Sequence, residues 1–243
     1  MNKVKLIAVL FAFTICGLTQ ASDFAAQLQA QGFNKQVRQR RGGITMDRID
    51  LPFYGVKTDQ GILIVTEGLR RPNGITFSID SKQYHYEAHD NGEFGGELIA
   101  INEQGQKLIL SKENTRGFFR LNKQIYALTG LAHLRMDQGR LYRLDESGKK
   151  PRLVSVTALA GSAVDIAIDS NRVYVLTRND LEVLEFDQNK IRREMLIRDA
   201  PWYSVPANLA LSGDQFIIGM HAGVVLASYG KERKYMNVEY FSK

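Results

Sequence analysis

A strand-forming unit recurs about every 42 residues along this chain. Four segments resemble one another: Gly96-Glu97-Leu98-Ile99-Ala100-Ile101, Gly139-Arg140-Leu141-Tyr142-Arg143-Leu144, Asp180-Leu181-Glu182-Val183-Leu184-Glu185 and Gly223-Val224-Val225-Leu226-Ala227-Ser228. They start 43, 41 and 43 residues apart. Each is preceded by another short β-rich run (83–86, 125–128, 173–176, 216–219), and each of those by one more (75–79, 117–121, 165–168, 208–211). A fourth run follows at 107–110, 152–156 and 193–197. Four short strands per unit of this length predict the blade of a β-propeller. One such sheet is too thin to bury both of its faces, whereas sheets stacked side by side bury them together. Val173-Tyr174-Val175-Leu176 and Phe216-Ile217-Ile218 are apolar at consecutive positions, as strands buried on both faces should be. Residues 44–67, with strands near 51–55 and 61–66, have room for one more unit, partial or complete. The expected fold is all-β: a small propeller of four to five four-stranded blades, five favoured, the last open to closure by both termini. A β-sandwich or an open β-meander is the alternative.

The N-terminus has a different character. Met1-Asn2-Lys3-Val4-Lys5 is basic, residues 6–18 form an apolar run, and Thr19-Gln20-Ala21 ends on a small residue. That order is the pattern of a cleavable secretory signal. The run falls short of the roughly 18–20 residues that span a bilayer. An uncleaved anchor, or a lipoprotein tethered at Cys16, are the rival readings. The expected division is a signal peptide over 1–21, a helix and basic linker over 22–43, and the propeller over 44–243. The helix is placed at 22–33, where Phe24 and Leu28 are spaced for one face and Gly32 for a stop. Cys16 is the one cysteine, so a chain cut after Ala21 has neither a disulfide nor a thiolate. Cleavage also removes Lys3 and Lys5, which reduces a formal charge of only +6. Much of the remaining excess lies in Lys35-Gln36-Val37-Arg38-Gln39-Arg40-Arg41, read as a solvated connector or a touchpoint for an anionic surface. Periplasmic or secreted residence follows. Nucleic acid is excluded as a partner, and the mature chain is expected to have no transmembrane segment.

The repeat also locates a site. In a propeller, the loops from second to third strand share a face with the connections between blades. His89, His133 and His221 fall in or beside those loops, His85 just before one, and Asp90, Glu93 and Arg178 in the same class. The inter-blade connections add Arg70, Arg71, Asn73, Asn114, Arg116, Trp202 and Tyr203. The candidate binding residues are therefore His89, Asp90, Glu93, His133, Arg178, Trp202, Tyr203 and His221. The histidines with Asp90 and Glu93 offer nitrogen and oxygen ligands to a divalent cation, or else bond to the loops that carry them. Trp202-Tyr203 is either an aromatic anchor for a partner or a plug between blades. Gly161-Ser162-Ala163 and Tyr203-Ser204-Val205 lack the glycine-framed elbow of a serine hydrolase and suit tight turns.

The stretch Arg71-Pro72-Asn73-Gly74-Ile75-Thr76-Phe77-Ser78-Ile79-Asp80 resembles a blade opening of gluconolactonase-like propellers. That resemblance implies a divalent metal held by Asn73 and hydrolysis of a lactone or ester. At the place of the family's later-blade aspartate this chain has Val164, with Asp165 adjacent. The segments 90–96, 130–134 and 218–223 are similar to those of exported bacterial propeller-like proteins, a resemblance that implies no activity. Two classes of function remain: a non-catalytic binding protein for a protein, glycan or small ligand, including an inhibitor or immunity-type role, and a metal-dependent lactonase or esterase.

Overall fold

The computed structural model describes residues 23–36, 51–68, 75–133, 136–188, 190–198, 205–229 and 236–243. The proposed signal at 1–21, most of the basic cluster, Asn73, and Trp202 with Tyr203 lie outside the described residues. The chain opens with helix α1 (Phe24–Ala30), capped by the Asp23 carboxylate on the Ala26 N–H, and then strand β1 (Asn34–Lys35). The hairpin β2 (Tyr54–Asp59) and β3 (Ile62–Glu67) follows. Its turn places Gln60 at φ 48° and Gly61 at φ 80°, the positive pair that a two-residue hairpin of matching twist needs.

Three four-stranded antiparallel meanders come next. They are β4 (Ile75–Asp80), β5 (Tyr84–Asp90), β6 (Gly96–Asn102) and β7 (Lys107–Ser111); then β8 (Thr115–Leu121), β9 (Gln124–His133), β10 (Met136–Asp145) and β11 (Arg152–Leu159); then β12 (Ala163–Asp169), β13 (Arg172–Thr177), β14 (Leu181–Asp187) and β15 (Lys190–Ile197). The last sheet holds β16 (Pro206–Ser212), β17 (Gln215–Met220), β18 (Gly223–Tyr229) and β19 (Met236–Ser242), with β1 added outside β19. The fold is all-β and repeats as the sequence predicts. The unit expected over 44–67 as partial or complete is two-stranded among the described residues, and the sheets there hold two, four, four, four and five strands.

First strands of successive sheets lie against one another: β8 on β4, β12 on β8, β16 on β12, and β2 on β16. Side chains join some of these inner strands. Asp165 accepts the Leu209 N–H at 2.9 Å. The Asn208 amide donates to Val56 O at 2.6 Å and accepts Val56 N–H at 2.9 Å. The core is correspondingly divided into seams. Tyr86, Leu98, Ala127 and Leu144 fill the one between the β4–β7 and β8–β11 sheets. On β13, Val173 and Val175 face the seam toward β8–β11, while Tyr174 and Leu176 face the seam toward β16–β19. Consecutive apolar residues on an inner strand thus serve two seams, because side chains alternate across a sheet.

The segment expected as helix and linker is part of this packing. Phe24, Leu28 and Phe33 are buried with Tyr54, Val56, Ile217 and Phe241 in the seam between the hairpin and the last sheet. β1 pairs with β19 where a basic connector was expected. Helix α1 also covers the open edge of β3. Gln27 donates to Gly61 O at 3.0 Å and accepts Leu63 N–H at 2.7 Å, and Gln31 donates to Leu63 O at 3.2 Å. Among the described residues no further strand pairs with β3, and one glutamine amide occupies part of that edge; an uncovered edge invites pairing with other chains. Gln27→Ala should cost about 1–3 kcal/mol in urea unfolding, from main-chain groups left unpaired. Light scattering should show more self-association than in the parent protein.

Candidate functional site

The β8, β12 and β16 strands each carry a register irregularity near their start, between Thr115 and Gly117, Ala163 and Asp165, and Pro206 and Asn208. The extra residues are Arg116, Val164 and Ala207. Residues added in this way leave the ladder and re-aim their side chains, and they recur beside binding sites. Here all of them line one cavity of about 370 Å³. Phe53 closes it from the hairpin side, Ala132 from β9 and Arg178 from the β13–β14 turn. The cavity therefore opens on the face that carries the second-to-third-strand loops, and we call it the mouth.

Arg116 is its structural centre. Its guanidinium pairs with the nearly buried Asp90 carboxylate at the end of β5, and its Nε donates to Ser162 Oγ at 3.1 Å before β12. One side chain thus joins the β4–β7, β8–β11 and β12–β15 sheets. Asp90 also accepts the Gly92 N–H at 3.0 Å. Asn114 braces the same turn, donating to Gly92 O and accepting from Asn91 N–H at 3.3 Å. The 160–162 crossover is held from both sides: Glu182 accepts the Ala160 N–H at 2.8 Å, and Asp137 accepts the Ser162 N–H at 2.7 Å. Ser162 is buried and serves this crossover and Arg116.

The sequence-derived candidates separate into distinct settings. His133 Nδ1 lies 2.8 Å from the Glu93 carboxylate, tying the end of β9 to the turn after β5. His89 bonds to the Thr76 hydroxyl at 3.0 Å. His221 is buried, donates its main-chain N–H to Val205 O at 2.9 Å, and sets its ring 4.8 Å from that of Phe53 at the mouth. Next to it, Ala222 takes φ 70°, donates its N–H to Pro52 O and accepts from the Tyr240 hydroxyl. Asp90 is committed to Arg116. Arg178 is exposed at the mouth. His85 lies at the other end of β5, facing Asp80 at 2.6 Å across the first hairpin. It does not border the second-to-third loop, because β5 is longer than its apolar run indicated.

The histidines, Asp90 and Glu93 do not converge as a cation would require. Among the described residues no group of three or more His, Cys, Asp or Glu side chains is placed to hold a metal ion. Val164 presents an apolar side chain to the mouth, while the adjacent Asp165 bonds to Leu209. Groups driven far from their ordinary titration are not among the residues that line the mouth. Burial and a hydrogen bond to Glu146 push the Tyr86 phenol up, while the Ser147 hydroxyl and the Arg152 guanidinium hold Asp145 below the usual carboxylate range. Sequence reasoning missed Phe53, Ala132 and Ala207, whose side chains carry no chemical signature. It also missed Phe94, 83% exposed on the turn that Asp90 and Asn114 brace.

No protein-family model matches the chain, and comparison with curated proteins gives no match. Solved structures with similar coordinates include a chain of the S. cerevisiae complex of a Dbp5 variant bound to Nup159, a Gle1 variant, IP6 and ADP. The TM-score is 0.44 and the identity 9%, over 72% of this chain and 48% of that one. This chain therefore spans about half the length of that match.

Proposed function

We propose that this chain is an exported, non-catalytic binding protein, a five-unit propeller that takes its ligand at the mouth. The observation that carries the reading is the convergence of Phe53, Arg116, Ala132, Val164, Arg178 and Ala207, drawn from different sheets, on one cavity of about 370 Å³. That volume lies within the range of about 300–1,000 Å³ typical of small-molecule sites. Its walls are mostly apolar with a few convergent polar groups, the usual make-up of such a site. The strands beneath it are tied together by the hydrogen bonds of Arg116, Asn114, Asp137 and Glu182, and a lining fixed in this way lowers the ordering cost of binding. The braced turn with Phe94 gives the same face an apolar anchor for a larger partner.

A thermal-shift screen of small metabolites and glycan fragments tests this reading. A true ligand raises the melting temperature, and Ala132→Phe, which fills the mouth from a partly exposed position, abolishes the shift. Chromatography should recover that ligand unchanged after long incubation. Cleavage of a lactone or ester that stops on chelation would instead establish the hydrolase. Export has its own readout. N-terminal sequencing of protein from the periplasmic or secreted fraction should begin at Ser22; a membrane-retained chain that keeps Met1 would refute cleavage.

A further inference from the structure

We infer that the mouth selects a small amphipathic carboxylate, its anionic end on Arg178 and Arg116 and its apolar body against Phe53, Val164 and Ala207. This rests on the binding reading above and adds the chemistry of the ligand. Among the described residues that line the cavity, the two charged side chains are both arginines, accompanied by the hydroxyl of Ser162. They are not equivalent. Arg116 is largely buried and neutralised by Asp90, so it holds its place and offers the remaining edge of a fixed guanidinium. Arg178 makes no ion pair among the described residues and lies exposed at the rim. The carboxylates nearest to it in the chain and across the crossover are engaged elsewhere. Asp180 accepts from the Thr177 hydroxyl at 3.4 Å, and Asp137 is bonded to Ser162 N–H and, at 3.4 Å, to the Asn179 amide. A planar guanidinium that pairs with no carboxylate among the described residues, at the edge of an apolar wall, suits a carboxylate, which it can grip with two parallel hydrogen bonds. Pro206 and Ala163 extend that wall, so a ligand lacking an apolar part would leave it wet.

The test is calorimetric titration of the whole protein with butanoate, hexanoate and octanoate below their micellar range, and with octanol and octylammonium as neutral and cationic matches. Octanoate should bind tightest of the acids, and octanol at least about tenfold more weakly, the size of a charge-assisted hydrogen bond. Arg178→Gln should weaken octanoate by about tenfold and leave octanol unchanged, while Arg178→Lys retains part of the affinity. Ala132→Phe should remove all binding. If octanol or octylammonium binds as well as octanoate, or Arg178→Gln changes nothing, the carboxylate assignment falls and the binding cavity stands. If none of the probes binds, this inference falls; the screen for other ligands then decides the binding reading separately.

Discussion

Gly219→Ala should lower the unfolding free energy by about 3 kcal/mol or more, through overpacking and the loss of buried hydrogen bonds. Gly219 lies in β17 directly beneath the hairpin. A Cβ there would collide with the Tyr54 carbonyl and stand 2.6 Å from Asn208 Oδ1. Neither neighbour is the far end of a flexible side chain. Tyr54 O is backbone in β2, and Asn208 is fixed by its two bonds to Val56. Relief requires β2 to move away from β16 and β17, which breaks those bonds and strands the main-chain groups of the buried Val56. The same motion withdraws Phe53 from His221 and opens the mouth. Urea unfolding should therefore show a lower midpoint, and any ligand of the mouth should bind more weakly to the folded fraction. Asn208→Ala should couple to this change non-additively, since both act on one seam. Gly148→Ala is the control: its nearest neighbour to an added Cβ is Lys150 O at 3.6 Å, and it should fall within about 0.5 kcal/mol of the parent.

The same glycines show why the repeat could be read. Gly96, Gly139 and Gly223 begin or lie near the start of third strands, and a Cβ on any of them would run into a carbonyl, that of His89, Gly161 or Phe241. The recurring glycine that marked the repeat is thus a close approach of chains imposed by the fold. Strand runs were legible for a related reason. The two seams beside β13 demand apolar residues at every position of 173–176, which leaves a local pattern. The pairing of β1 with β19 leaves none, because it joins residues some two hundred positions apart through main-chain bonds. Nor does Gln27, whose role depends on an edge that only the finished hairpin exposes. At the mouth, Arg178 and the loop class of His133 and His221 followed from the repeat. Arg116 was placed on the right face, but its bond to Asp90 depends on an irregularity in β8 that no residue type announces.

Arg193→Met should be the most damaging surface-side substitution, at about 3–5 kcal/mol, because it leaves a buried carboxylate without its partner. Glu182 has no exposed side-chain surface, while Arg193 is 36% exposed, and Arg193 Nε pairs with its carboxylate. The other carboxylate oxygen accepts the Ala160 N–H at 2.8 Å. The two partners are therefore asymmetric. Glu182→Gln keeps a carbonyl acceptor for Ala160 and releases a half-exposed guanidinium toward water, so it should cost clearly less than Arg193→Met. A symmetric pair would give equal losses, and equal losses would show that the charge on Glu182 is not what Arg193 offsets. The effect should reach the mouth as well. Ala160 leads into Ser162, Ala163 and Val164, and Ser162 receives the Nε–H of Arg116. Loosening Glu182 frees the crossover on one side while Asp137 still holds the other, so octanoate affinity should fall in Arg193→Met even at temperatures where the protein remains fully folded.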